Sequence, residues 1–325
     1  MSGWRGERLS VLSECCKMTV TRLGIVGVSE GNGHPFSFSA IVNGYEPAAL
    51  AEAGWQVIYD YVRRRDASEF GIEGFQITHA WTQDAAVTER LCRACRIPHA
   101  VDSLDKLANE VDAVIIARDD FEQHVALALP FLEAGLPVFI DKPLTASLDE
   151  LRRLKPYLES GRLMSCSAMR YARELDELKT TLDSYGDLKL VRGAVVNSWE
   201  KYGVHLLEAV WGVVHPEPDW VQAQEASHTS VCIGCRDGLL IQIDALGRTA
   251  LTFQFDIWGS TNAASYSIRD NFSMFRRMLW RFCNSVRTGK PAISADDTCT
   301  IMRVLIAGRL SQAEGRKVYL NELEL

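Results

Sequence analysis

Short apolar runs and longer amphipathic stretches alternate through the first half of the chain. Arg22-Leu23-Gly24-Ile25-Val26-Gly27 is an apolar run that breaks into Gly27-Val28-Ser29-Glu30-Gly31-Asn32-Gly33-His34-Pro35, and a helical pattern follows from Phe36 to Tyr45. Phe75 to Trp81 alternates as a strand does, and Asp84 to Arg96 reads as a helix with Asp84 as its cap. A short helix over Asp105–Glu110, a buried strand over Asp112–Ala117 and a helix from Phe121 to Ala134 stopped by Gly135 come next. Val138-Phe139-Ile140 is a further strand, followed by a helix over Ser147–Ser160, a strand over Met164–Ala168 and a helix over Arg173–Ser184. Strands alternating with helices of this length predict a right-handed parallel sheet covered on both faces. Residues 46–76 interrupt the rhythm, with a helical turn expected over Pro47–Ala53 and an extended stretch over Trp55–Tyr61.

From Leu188 the pattern changes. Leu188–Asn197, Trp220–Ala226, Ser230–Cys235, Leu239–Ala245, Ala250–Trp258 and Ala264–Arg269 are strand-like, with turns such as Arg236-Asp237-Gly238 between them. Closely spaced strands predict an antiparallel sheet, with helices over residues 201–214, 271–289 and 295–313. The fold class is therefore α/β, a parallel-sheet domain followed by an α+β domain with a large open, mainly antiparallel sheet. At 325 residues two domains are the expectation. The boundaries are an extension over 1–18, a first domain over 19–143 with 46–76 as an inserted arm, and a second over 144–325 whose C-terminal segment packs back on the first.

The net charge of −7, without a block of like charges, gives no electrostatic case for nucleic acid. No apolar run approaches the ~18 residues of a membrane span. Met1 to Lys17 lacks the apolar core of a secretory signal, so the chain is expected in the cytoplasm, with Met18 an alternative start to Met1. Nine scattered cysteines fit reduced thiols there. The pairs Cys92/Cys95 and Cys232/Cys235 lie far apart with no completing ligands, so no metal site is expected.

Two stretches carry candidate chemistry. Strand, glycine-rich turn and helix aim backbone N–H groups at a phosphate, but the spacing here is Gly27-x-x-x-Gly31-x-Gly33, with Ser29 at the usual second glycine, so phosphate binding and a plain strand-to-helix turn both remain open. The second stretch is Val138-Phe139-Ile140-Asp141-Lys142-Pro143, where Pro143 ends the strand and leaves Lys142 at its C-terminal edge, where open α/β sheets place ligands. Arg63-Arg64-Arg65 is either a solvated face or an arm for an anionic group.

In order and spacing, Asp112–Ala117, His124, Ala134-Gly135-Leu136-Pro137-Val138-Phe139-Ile140-Asp141-Lys142-Pro143-Leu144, Arg170-Tyr171, Gly203-Val204-His205-Leu206-Leu207-Glu208 and Ala313-Glu314-Gly315-Arg316-Lys317-Val318 resemble the Gfo/Idh/MocA family of NAD(P)-dependent sugar oxidoreductases. The resemblance runs over nearly the whole chain from about residue 20, with Asp141-Lys142-Pro143 where the family usually has Glu-Lys-Pro. It implies a Rossmann-type nucleotide-binding domain, NAD or NADP as cofactor, and hydride transfer at a carbon of a sugar or nucleotide-sugar. It also implies a homo-oligomer, dimer or tetramer. Lys142 and His205 are the implied catalytic pair, with Lys201 as a third candidate. The implied cofactor set is Gly27, Ser29, Gly31, Asn32, Gly33, His34, Trp81, Thr82, Arg118, Asp119, His124, Asp141, Lys142 and Arg170, with His124 also readable as a structural helix-start residue. The loop Gly31–Pro35 and the inserted arm look like a branch associated with bacterial surface-polysaccharide sugars.

The chain departs from the family pattern at three points. Many members carry an aspartate four residues before the histidine, where this chain has Lys201 beside Glu200; Lys201 either meets an acidic substrate group or is solvated. Thr82 stands where an acidic residue commonly binds the ribose, which leaves NAD and NADP both open, and the glycine loop is longer. Two alternatives to a dehydrogenase remain, a redox-cycling epimerase, lyase or glycosidase, and a cofactor-sensing regulator without turnover.

Overall fold

A computed structural model describes residues 20–325; the N-terminal extension, with Cys15, Cys16 and the choice between Met1 and Met18, lies outside the described residues. The first sheet contains β1 (Thr21–Val26), β2 (Phe75–Trp81), β3 (His99–Ala100), β4 (Ala113–Ile116), β5 (Val138–Ile140) and β6 (Leu163–Ser165). Its strands are all parallel, in the order β3-β2-β1-β4-β5-β6. Leu23, Ile25, Val114, Ile115, Ile116 and Phe139 are fully buried, because helices cover both faces and leave no polar side to alternate with. Local chemistry sets the helix ends. Asp84 accepts from the amides of Ala86 and Val87 ahead of the helix Ala85–Ala94, Ser147 accepts from Glu150 ahead of Leu148–Glu159, and Gly135 takes φ 87° just beyond His124–Glu133.

The stretch expected to be extended, Trp55–Tyr61, is instead a helix over Gln56–Val62. Its aromatic and β-branched content favours a strand locally, but burial of Ile58 and Val62 one turn apart on a single face overrides that preference. The two-residue edge strand β3 was not expected, being too short to show alternation. Arg63 and Arg64 are exposed, whereas Arg65 pairs with Asp270 and lies 4.9 Å from the Phe272 ring centroid, tying this segment to the helix Asn271–Thr288.

The second sheet contains β7 (Leu188–Val195), β8 (Pro218–Glu225), β9 (Thr229–Cys235), β10 (Leu240–Ala245), β11 (Phe253–Gly259), β12 (Ala263–Ser267) and β13 (Val318–Tyr319), in the order β12-β11-β7-β10-β9-β8-β13. All its neighbours are antiparallel except β7 and β10. A π-helical turn, Trp199–Gly203, and the helix Val204–Trp211 pack on it. The buried Trp199 ring lies so close to Gly203 and Gly308 that a Cβ on either would come within 2.5 Å of it, and the indole N–H donates to the Leu305 carbonyl at 3.0 Å. These contacts hold the helix that carries His205. Among the described residues no helix is long and apolar enough to cross a membrane.

The helix Gln56–Val62 also supports the glycine loop. A Cβ on Gly33 would lie 2.5 Å from Ile58 Cδ1 and 2.6 Å from the Trp55 ring. Gly33→Ala is therefore expected to cost about 1–3 kcal/mol through overpacking, read as a lowered urea midpoint; unchanged stability would show that this contact yields freely.

Candidate functional site

Loops following β1, β4 and β5 meet beyond the C-terminal ends of these strands, where the strand order reverses between β1 and β4. Lys142 leaves β5 into this crevice and is 4% exposed. Its amine stands 3.5 Å from Asp119 Oδ2 and 5.5 Å from the centroid of the Tyr202 ring, a cation–π contact. Asp141, 2% exposed, holds the glycine loop: Oδ2 lies 2.5 Å from His34 Nδ1 and accepts from Asn32 Nδ2 at 3.2 Å, while Asn32 Oδ1 accepts the His34 amide at 2.8 Å. Burial opposes ionisation of Asp141, but His34 and then Lys142 overcome it and bring the carboxyl down to about 2.

His205 reaches the same place from the second sheet. Its Nδ1 is 2.7 Å from Ser167 Oγ, and its ring packs edge-on to Tyr202 (5.0 Å) and Phe253 (6.0 Å). Burial pushes the imidazole well below its ordinary value, and the neighbouring Lys142, then His34, add to that. Lys142, His34, Asp141 and His205 thus form one electrostatic cluster built from both halves of the chain. Lys201 does not join it: its side chain is exposed to water, while the Tyr202 ring beside it packs against both Lys142 and His205.

The other candidate residues are divided between the crevice and its supports. Gly27, at φ 81°, lies beneath the Arg118 side chain, so close that a Cβ would be 2.4 Å from Arg118 Cδ. Gly31, at φ 75°, has open space where a Cβ would be. Ser29 Oγ donates to Asp119 Oδ1 at 2.6 Å and so links the first and fourth strand loops. His124 is fully buried, its Nε2 2.9 Å from the Arg118 carbonyl and its Nδ1 3.2 Å from that of Leu144, bridging the loops after β4 and β5. Arg170 is buried against Glu208 at 2.5 Å and Asp297 at 3.4 Å, away from Lys142's contacts. Trp81 is partly buried at the end of β2; Thr82 spends its hydroxyl on Thr88 and the Asp84 carbonyl.

Sequence reasoning missed Tyr202, Ser167 and Gln83. Gln83 makes a paired amide contact with Val28, accepting its N–H at 3.1 Å and donating to its carbonyl at 2.7 Å. Tyr202 carried a local signal, since residues three apart share a helix face; Ser167, 38 residues from His205, carried none. Both Cys-x-x-Cys pairs contain ordinary thiols: Cys92 and Cys235 are pushed up to about 11 and about 12 by burial, and the described residues include no cluster able to hold a metal.

The crevice fits a dinucleotide. Among the described residues the amides of Glu30, Gly31 and Gly33 meet no acceptor of the chain, just ahead of the helix His34–Asn43, which is the donor set a pyrophosphate takes. Just beyond the end of β2, Asp84 caps its helix through Oδ1, which accepts from the amides of Ala86 and Val87.

Because its carboxyl is depressed from 3.8 to about 2, Asp141 contributes stability that is complete above pH 3.8 and is lost as pH falls through about 2. Asp141→Asn is expected to cost about 2 kcal/mol near neutrality, measured by urea unfolding, and the gap from wild type should close across that acid window. A gap independent of pH would refute the linkage.

Residues 52–166 match the family described as "Oxidoreductase family, NAD-binding Rossmann fold", GFO_IDH_MocA. The chain is 34% identical over 119 residues to the Salmonella typhimurium protein named "Putative oxidoreductase YceM", and 29% identical over 153 residues to trans-1,2-dihydrobenzene-1,2-diol dehydrogenase of Oryctolagus cuniculus. These stretches cover 36% and 46% of this chain and 38% and 43% of the two relatives, so the chain matches less than half the length of either. The fold is similar over 93% of this chain to all of scyllo-inositol dehydrogenase from Lactobacillus casei, solved with NAD(H) and scyllo-inositol, at TM-score 0.74 and 14% identity. Myo-inositol 2-dehydrogenase from Lactobacillus plantarum is similar at TM-score 0.73 and 15% identity, over 93% of this chain and 99% of its own. The matched segment, residues 52–166, spans β2 to β6 of the parallel sheet, and over it the chain is similar to the NAD-binding Rossmann domain of the Gfo/Idh/MocA oxidoreductase family.

Proposed function

We propose that the chain is an NAD(P)-dependent oxidoreductase moving hydride between the nicotinamide and a hydroxyl-bearing carbon of a sugar-like substrate. The observation that carries this reading is that buried Lys142 and His205 pack against one ring, Tyr202, beyond a strand–glycine loop–helix unit. The cofactor, when bound, supplies the hydride acceptor or donor. The donors of the Gly31–Gly33 loop and the helix behind it would hold its pyrophosphate. Lys142 donates to the reacting oxygen and stabilises the negative charge that develops there, an effect enlarged because the amine is shielded from water. Held neutral, His205 makes a second hydrogen bond to that oxygen. Tyr202 and Phe253, stacked at 6.3 Å, would offer the substrate an apolar face.

More finely, the reading is of a nucleotide-activated sugar used in polysaccharide-precursor synthesis, acted on by a cytoplasmic homo-oligomer. The Gly31–Pro35 loop and the segment packed on it support this branch. A panel of free polyols, free sugars and nucleotide-sugars separates the finer statement from the coarser one, since turnover of polyols alone would remove it.

Titration of the purified protein with NAD, NADP and their reduced forms is expected to show saturable binding by calorimetry; none at millimolar concentration would overturn the assignment. Lys142→Met is expected to lower kcat by about 10²-fold or more while leaving cofactor affinity within a few fold. Turnover equal to wild type would remove Lys142 from the chemistry.

A further inference from the structure

As hydride leaves carbon in the proposed reaction, the hydroxyl must also lose its proton, and two imidazoles stand in the cluster to receive it. They are not equivalent. Behind Nδ1 of His205 is a hydroxyl, Ser167 Oγ, which also accepts the Met169 amide at 3.2 Å. A hydroxyl brings no charge to balance an imidazolium, and burial beside Lys142 and His34 already disfavours one at this position. Behind Nδ1 of His34 is the ionised carboxylate of Asp141, at 2.5 Å. Asn32 fixes that carboxylate from a second direction and fixes the His34 backbone as well. The ring is stacked on Phe38 at 4.9 Å and edge-on to Phe275 at 5.0 Å, so it is held in one orientation. A carboxylate only accepts hydrogen bonds, so Nδ1 carries a hydrogen and Nε2 is the nitrogen left to face a ligand. The His34 side chain keeps 21% of its surface accessible while Asp141 keeps 2%, which leaves the imidazole, not the carboxylate, open to a ligand. The charged or titratable groups of the cluster around His34 are Asp141 and Lys142 from the loop after β5 and His205 from the second sheet's helix; the helix Asn271–Thr288 presents the apolar Phe275.

We propose that His34, oriented by Asp141, is the proton acceptor of this site in alcohol oxidation and the donor in the reverse direction. The inference rests on the oxidoreductase reading above. In the oxidation, the C–H bond breaks and its electron pair leaves with hydride to the nicotinamide. The O–H bond breaks, C=O forms, and the hydroxyl proton ends on His34 Nε2. The resulting imidazolium is balanced by Asp141 and afterwards gives its proton to water. Lys142 stays an ammonium throughout.

Two measurements test the assignment. In the cofactor-free full-length protein with ¹⁵N-labelled histidine, the NMR signal identified through His34→Gln is expected to show hydrogen on Nδ1 and a lone pair on Nε2. Asp141→Asn, whose carboxamide can donate to Nδ1, is expected to shift that signal toward the other tautomer. Hydrogen on Nε2 in the wild type, or no response to Asp141→Asn, would overturn the proposal. In turnover, His34→Gln is expected to lower kcat by about 10²-fold or more with the KM for cofactor changed less than about threefold. An unchanged kcat, or a loss confined to the cofactor KM, would make His34 a pyrophosphate contact and refute its role as acceptor. Failure to bind any nicotinamide cofactor would defeat the oxidoreductase reading itself, and the NMR result would still decide how His34 is oriented.

Discussion

An ammonium with 4% of its residue exposed cannot be left uncompensated, because a charge removed from water costs several kcal/mol unless opposite charge is brought to it. Around Lys142 that requirement organises three loops. Asp119 from the loop after β4 supplies one carboxylate, and Asp141 from the loop after β5 supplies another. Each is fixed by the loop after β1, Asp119 through Ser29 and Asp141 through Asn32 and His34. The glycine loop is therefore shaped as much by the charge balance of one lysine as by any phosphate it holds. Buried His124 completes the arrangement by packing between the carbonyls of Arg118 and Leu144, in contact with the segments bearing Asp119 and Lys142.

The second sheet contributes a position more than a charge. Gly193 on β7 has no room for a side chain, since a Cβ would be 2.6 Å from Leu206 Cδ1. This lets the helix Val204–Trp211 lie close on the sheet, and Trp199 wedged against Gly308 sets where the helix begins. One turn beyond His205, Glu208 meets Arg170 and, through it, Asp297 on the helix Ala295–Glu314. Arg170 thus belongs to the frame that locates His205. Ser167, three residues before it, turns the imidazole itself.

The parts of this design that were legible in the sequence are those fixed by neighbours in the chain. The strands of the first sheet read clearly because burial on both faces makes them continuous apolar runs, and Lys142 read clearly because strand, lysine and proline are adjacent. The helix caps Asp84 and Ser147 act over two or three residues. What was hidden depends on pairs far apart: His34 with Asp141 across 107 positions, Ser29 with Asp119 across 90, Ser167 with His205 across 38. Trp55–Tyr61 was misread for a related reason, because its helix is imposed by packing of Ile58 and Trp55 on Gly33, whereas its composition favours a strand. Interest in Lys201 came from its position in a family pattern, yet a long charged side chain on an exposed turn goes to water, and the neighbouring ring takes the interior.

The absent aspartate at position 201 then has a physical sequel. An imidazole becomes a good proton carrier when a carboxylate stands behind one nitrogen, because the charge formed on protonation is met at once and the other nitrogen's role is fixed. In this chain that carboxylate is Asp141, on the opposite side of the seam from His205, and the imidazole it serves is on the glycine loop. His205 loses its charge partner and keeps a hydroxyl, which suits a hydrogen-bonding group that remains neutral. The same ionised carboxylate also holds down the glycine loop through Asn32 and His34. Because Asn32 holds both Asp141 and the His34 amide, a ligand seated on the glycine loop would bear directly on the orientation of His34, and under the proposal above binding and proton transfer would share one structural support.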